Sequence, residues 1–170
     1  LQVLFELSRS YERAGHFEKS IRAFQRLLTL SPENHLALNY LGYMLAEKGI
    51  RLKEAEHLIE RALRADPNNG AYLDSMGWVS YRQGQHRKAI ECLQRALDIE
   101  EKSLQDQGDG GLREDLAVIH DHTGDVARAL GNHNKALRHW SRALKFDPEN
   151  DSIRKKLQRA TDGIGGAPAE

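Results

Sequence analysis

The chain has 170 residues, of which 39% are hydrophobic, 29% charged and 6% aromatic, enough to bury a core of ordinary size. Its 25 Lys and Arg cancel its 25 Asp and Glu, which removes the global field that draws a chain toward nucleic acid or anionic lipid. A mean hydropathy of −0.66, with no apolar run near the about 18 residues a helical span needs, excludes a transmembrane helix.

A lone cysteine, Cys92, excludes an internal disulfide and a Cys-rich zinc site. The chain opens on Leu1, with neither Met nor a basic-then-apolar leader, so a mature form or an excised fragment is expected. Along the chain, three prolines stand in near-identical settings: Ser31-Pro32-Glu33-Asn34, Asp66-Pro67-Asn68-Asn69 and Asp147-Pro148-Glu149-Asn150, the first two prolines 35 residues apart. Each follows a helical stretch and reads as the stop of one helix and the first turn of the next.

Upstream of each proline the same skeleton recurs. A small residue sits in the middle of a first helix (Ser8, Gly42, Gly77, Gly124) and a glycine ends it (Gly15, Gly49, Gly84, Gly131). Small in the middle implies close approach, and glycine at the end implies a left-handed cap. The second helix carries residues seven apart on one face, Ser20 and Leu27, Ala55 and Ala62, Ala89 and Ala96, Ala136 and Ala143. Larger residues between them, Phe24, Ile59, Leu93 and Trp140, fill the remaining space.

This pattern resembles the tetratricopeptide repeat, an antiparallel helix pair of roughly 34 residues, with Leu41-Gly42, Met76-Gly77, Tyr11, Phe24 and the alanines above as matching residues. The resemblance implies an all-α fold, a right-handed superhelix of antiparallel helix pairs with about four repeats and a C-terminal capping helix. The expected layout is a single domain over 1–161, with repeats at about 1–34, 35–69, 70–103 and 117–150, an insertion at 104–116, a cap helix over 151–161 and a disordered tail over 162–170. In the cap, Ile153 and Leu157 face the last repeat while Arg154-Lys155-Lys156 form a solvated face.

Three departures from the pattern carry structural expectations. The second copy has one extra residue in its turn, Gly49 to Ala55, which widens the turn without breaking register. The third copy has Glu100-Glu101 where a proline would end its second helix, so that helix runs on toward Leu104 or Gln105 before Gly108, Gly110 and Gly111 break it. Leu112, Leu116, Ile119, Thr123, Val126 and Leu130 then trace a helical stripe. Thr123 and Ala127 stand where large residues are usual, which leaves a looser helix or a gap filled by the extended helix before it.

Stacked pairs of this kind build a concave face lined by first helices. The resemblance maps that lining to Phe5, Arg9, Glu12 and Arg13; Asn39, Tyr43 and Glu47; Asp74, Trp78, Tyr81 and Arg82; Asp121, Asp125 and Arg128. Aromatic anchors ringed by polar groups have the physical profile of peptide-binding hot spots. Trp78, and with it Tyr43, is open to two readings, a ligand-facing anchor or a wedge between adjacent repeats. Asp74, Asp121 and Asp125 are either a solvated face or a preference for a partner with Lys or Arg. Phe5, Arg9, Tyr43, Asp74 and Trp78 hold the slots of a carboxylate clamp, where only Arg9 has the required charge, so a clamp for a C-terminal carboxylate is rejected.

Eight histidines invite a metal reading, but His120 and His122 lie two apart on a helix and point about 200° away from each other. No metal site is expected. His16, His86 and His133 follow helix-ending glycines and fit inter-helix turns, and Cys92 reads as a partly buried thiol. With no phosphate-cradling glycine loop, no His-Glu-x-x-His and no nucleophile elbow, neither catalysis nor a cofactor is expected.

The stretches Leu38–Ala46, Leu58–Leu63 and Ala71–Val79 look like the C-terminal part of large bacterial tetratricopeptide proteins. Among these are outer-membrane lipoproteins that act as adaptors of a periplasmic carboxyl-terminal processing protease. The resemblance implies a bacterial scaffold of the envelope that binds a protein or peptide, a partner with basic residues or a protease complex. The alternative is a structural domain that self-associates through its convex face or terminal helices. The exposed start on a repeat helix favours further repeats upstream.

Overall fold

A computed structural model describes residues 1–165, and among them the chain is all helical, with nine helices and no strand. In order these are α1 (Gln2–Arg13), α2 (Phe17–Leu30), α3 (His35–Lys48), α4 (Leu52–Ala65), α5 (Gly70–Arg82), α6 (His86–Gln107), α7 (Leu112–Ala129), α8 (His133–Phe146) and α9 (Asp151–Gly165). Their contacts gather in two compact units, one over Leu1–Gln83 and one from Gly84 onward. One domain over 1–161 is the sequence expectation. The boundary between the two compact units falls inside the third copy, at the positive-φ Gly84 that separates α5 from α6.

The helices that follow a proline connector begin on an asparagine cap. Asn34, Asn69 and Asn150 each accept a hydrogen bond from the N–H three residues on, at 2.9 Å from Ala37, 3.1 Å from Tyr72 and 3.2 Å from Ile153. Asn69 and Asn150 also donate back to Asp66 and Asp147, at 3.1 and 2.9 Å. The Asp-Pro-x-Asn segment is therefore a complete connector, in which proline stops one helix and asparagine caps the next, a cap being worth about 1 kcal/mol. In the widened turn of the second copy, Gly49 (φ 68°) ends α3 and Arg51 adopts φ 50° while its guanidinium grips Glu54 with two 2.6 Å bonds.

Pairing depends on the small mid-helix residue. A Cβ on Gly42 would stand 2.6 Å from Ile59 Cγ1 and 2.9 Å from the Ala55 carbonyl oxygen, and one on Gly124 would stand 2.6 Å from Trp140 Cδ1. In the first copy Ser8 has the same place, and its carbonyl accepts a 2.7 Å bond from Ser20 Oγ across the pair. Around these approaches the first unit buries Phe24, Leu27, Leu38, Leu41, Leu45 and Ile59.

In the second unit α6 reaches Gln107 and α7 has 18 residues, both longer than the other paired helices. The break comes at Gly108, Gly110 and Gly111, all at positive φ. Thr123 and Ala127 are fully buried, and Thr123 Oγ1 donates 2.6 Å to the Ile119 carbonyl, so α7 is tightly packed rather than loose. Ala127 joins Ala136, Trp140, Ala143 and Ile153 in one cluster, with Leu144, Leu157 and Ala160 packed against it. The aromatic of α8 supplies the bulk that α7 lacks. The last helix runs to Gly165, beyond the expected end at 161, and residues 166–170 of the expected tail lie outside the described residues.

A buried histidine pair ties α7 to α8. His120 is fully buried, its Nδ1 lies 3.0 Å from Nδ1 of His139, and Phe146 stacks on its ring at 5.8 Å. One imidazole must donate and the other accept, so the contact is lost once both rings are charged. Burial first, then nearby positive charge (His139 and Arg142 for His120; Lys135, Arg142 and Arg138 for His139), pushes both down to about 4. Glu101 Oε1 is 3.7 Å from His120 Nε2, too far for a hydrogen bond, and is 3.3 Å from Arg142.

Two outcomes are expected. Gly124→Ala should lower the unfolding free energy by a net of about 1–2 kcal/mol, read as a lower urea midpoint, because strain against a fully buried indole exceeds the roughly 1 kcal/mol that alanine gains inside a helix. An unchanged midpoint would contradict the close-approach argument. For the histidines, the unfolded chain takes up protons near pH 6.5 while the folded pair resists down to about 4, so unfolded molecules hold more protons between those values and stability falls as pH drops through that window. Urea titrations at pH 7 and 5 should show a loss on the order of 1–3 kcal/mol, flattened in a His120→Phe, His139→Leu double variant.

Candidate functional site

The lining expected from sequence divides between the two units, and most of it proves to be contact between neighbouring repeats. Phe5 is buried, edge-on to Phe24 at 5.7 Å and to Tyr40 at 5.3 Å, and the Arg9 guanidinium lies 5.4 Å over the Tyr40 ring. Tyr40 stands six residues after the cap Asn34, on the first helix of the next copy, and Phe5 and Arg9 form a socket four residues apart that receives it. Phe5 is therefore a core residue. Glu12 is half-buried, and Arg13, the last residue of α1, is exposed.

The same register explains Asn39 and Tyr43. The residue six past the next cap is Ser75, whose hydroxyl bonds back to the Ala71 carbonyl at 3.0 Å. Asn39 Oδ1 is buried without a donor, and Tyr43 is half-buried.

Nearer the end of α3 and α5 a second cluster forms. The Trp78 indole N–H donates to Glu47 Oε2 at 2.8 Å, and Arg82 donates to the Glu47 carbonyl at 2.8 Å with its guanidinium 5.9 Å from the indole. Tyr81 lies tilted beside the indole, ring centroids 5.1 Å apart. Trp78 is 8% exposed and bonded across the repeat boundary, so it is the wedge of the two readings. Glu47 is exposed, Tyr81 and Arg82 are half-buried, and Asp74 is buried. The cluster is a rigid aromatic surface with a carboxylate and a guanidinium fixed at its rim.

In the second unit Asp121 and Asp125 share a face of α7 and close on Lys156 of α9. The ammonium stands 2.8 Å from both Asp121 oxygens and from Asp125 Oδ2. Neither aspartate is a solvated face, and Lys156 is not part of one either, whereas Arg154 and Lys155 are exposed as expected. Burial raises the Asp121 carboxyl, against the pull of Lys156. For Lys156 burial works downward, but hydrogen bonds and charge from the two aspartates outweigh it and the ammonium is held above its ordinary value. Asp125 Oδ1 is buried without a partner, and Arg128 lies exposed, 5.7 Å from the Trp140 ring.

Sequence reasoning missed Lys156 as the aspartates' partner and His139 as the partner of His120. Lys156 carried a signal, since it sits between Ile153 and Leu157 on the flank of a buried stripe; His139 carried none. A pocket of about 500 Å³ on α8 is rimmed by Arg138, Arg142 and Lys145, with His139 at its wall. Among the described residues no three His, Cys, Asp or Glu side chains are placed to share a metal ion. Cys92 is half-buried, and burial, partly opposed by Lys88 and Arg95, holds its thiol above the ordinary value, the opposite of an activated nucleophile.

Comparison with known proteins fits this architecture. The tetratricopeptide repeat pattern matches residues 5–70 and again 70–103 and 117–150. A TPR repeat-containing protein of Pseudomonas aeruginosa is 37% identical over 97 residues, 57% of this chain and 16% of that protein, so the chain spans a small part of this relative's length. Among solved structures, a tetratricopeptide protein of Thermus thermophilus superposes with a TM-score of 0.73 at 20% identity, covering 93% of this chain and 79% of the other. The first such domain of Spaghetti, bound to an HSP90 peptide, superposes with a TM-score of 0.63 at 17% identity over 78% of this chain and 94% of its own. With the pattern running over most of its length and its helices paired through small residues at the expected places, the chain belongs to the tetratricopeptide repeat family.

Proposed function

We propose that the chain is a non-catalytic scaffold that holds a peptide or protein partner against the first-helix surface of its repeats. The observation that carries this reading is the Glu47–Trp78–Tyr81–Arg82 cluster. Its buried indole is locked by a 2.8 Å bond to Glu47 and backs the half-buried Tyr81 and Arg82, which supply groups of the kind that dominate interface energetics with little conformational freedom left to lose. Tyr43, on α3 of the same unit, extends the candidate surface, and Arg9, Arg13 and Asn39 border it with polar groups. The HSP90 peptide bound by the Spaghetti domain supports the general mode. The Pseudomonas relative agrees with a bacterial scaffold, and the resemblance to envelope adaptors suggests a carboxyl-terminal processing protease complex as the partner.

Trp78 is too buried for a clean test, so the variant of choice is Tyr43→Ala with Tyr81→Ala, checked for parental helicity. Affinity capture from the native cell, with mass spectrometry of the bound fraction, should give a partner that the parent retains and the variant loses by tenfold or more. Equal capture by both proteins would remove this surface as the site, and a captured set without a processing protease would remove the adaptor assignment.

A second reading is favoured by α1, where Val3 is 82% and Leu7 43% exposed, at positions whose counterparts Ala37 and Leu41 in α3 are buried. Self-association through this terminal helix is the expected consequence of its apolar face. Light scattering over a concentration series checks it: mass should rise for the parent and not for a Val3→Lys, Leu7→Lys variant, while a monomer at high concentration would end this reading.

A further inference from the structure

The Asp121–Asp125 pair is a socket of the same register as the Phe5–Arg9 pair. Tyr40 follows its cap Asn34 by six residues and enters the socket on α1; Lys156 follows its cap Asn150 by six residues and enters the socket on α7. The last helix is thus seated as the first helix of a further repeat would be, with a charged residue where an aromatic one stands in the second copy. The socket itself is specific for charge. Both carboxylates are largely buried, one oxygen of Asp125 has no partner, and without a cation the two would face each other uncompensated.

The occupant, by contrast, is mostly exposed outside this contact. Of the α9 side chains described, only Ile153 is fully buried, with Lys156, Leu157 and Ala160 half-buried and Arg154, Lys155, Gln158 and Arg159 exposed. A helix held chiefly by one fully buried side chain and one ion pair is of the kind that opens before the core helices do. The site is demanding and its resident is replaceable.

We propose that α9 is an internal ligand: the Asp121–Asp125 socket binds the basic residue of an amphipathic partner helix of Ile-x-x-Lys-Leu pattern, which exchanges with α9 and is excluded while α9 is docked. The inference rests on the scaffold reading and names the ligand chemistry and the control of its second-unit part. Selectivity follows from the geometry. Ile153 enters the cluster of Ala127, Ala136, Trp140 and Ala143, so a competing helix needs an aliphatic residue three positions before its cation.

The test uses the full chain and, as probe, a fluorescent peptide with the sequence of residues 149–162. Lys156→Ala in the chain should raise probe affinity at least tenfold over the parent, and hydrogen exchange should show amides 153–160 losing protection while α7 and α8 keep theirs. Adding Asp121→Asn and Asp125→Asn should abolish the gain, and a probe with glutamate in place of its Lys156 should not bind. Lys156→Arg should behave as the parent. Should Lys156→Ala unfold the second unit, the parent titrated with excess probe serves instead, where α9 amides should lose protection as the probe binds. Equal probe affinity for parent and Lys156→Ala, an undiminished gain in the asparagine variants, or α9 protection unaffected by saturating probe would each overturn the proposal. Partner capture through Tyr43 and Tyr81 reads the other unit, so either result can fail without the other.

Discussion

The distance of closest approach between paired helices sets most of this structure. Where Gly42 meets Ile59 and Gly124 meets Trp140, there is no room for a single extra carbon, and the alanines at Ala55, Ala62, Ala136 and Ala143 keep the opposing face equally shallow. Helices this close admit a large side chain only where the partner helix has a small one, and the remaining bulk is shared with the next pair. Phe5, Phe24 and Tyr40 fill one such space. Trp78 fills another, against Glu47 of the preceding copy.

That rule changes the meaning of the first-helix face. A residue pair four apart on one first helix is already engaged by the residue six past the cap of the next, and what is left for a partner is only what the neighbour does not use. In the first copy the neighbour brings tyrosine and consumes the pair. The second copy has a serine at that place and an unpaired asparagine oxygen on the facing helix, and at α7 a lysine bridges two aspartates. One geometric slot therefore yields an aromatic contact, a polar deficit and an ion pair, depending on a single side chain.

Periodicity made the helices, their order and the glycine-ended turns legible in the sequence, because proline, glycine and asparagine act through local backbone chemistry that needs no tertiary context. The long α6 and the glycine break after it were legible for the same reason. What the sequence concealed depended on residues far apart in the chain. Lys156 reads as one of three basic residues until Asn150 fixes the phase of α9, and nothing marks His139 until α7 brings His120 to it. The tight packing of Thr123 and Ala127 was likewise invisible, since the bulk that replaces them comes from Trp140 on another helix.

The boundary between α5 and α6 bears on how repeats can be gained or lost. The sequence repeats in pairs of first and second helices, but contacts gather so that the third pair contributes one helix to each compact unit. The compact unit is thus offset by one helix from the unit of duplication. An insertion or deletion of a whole repeat at residue 70 would therefore alter the makeup of a compact unit, whereas one beginning at Gly84 would add or remove material at its edge.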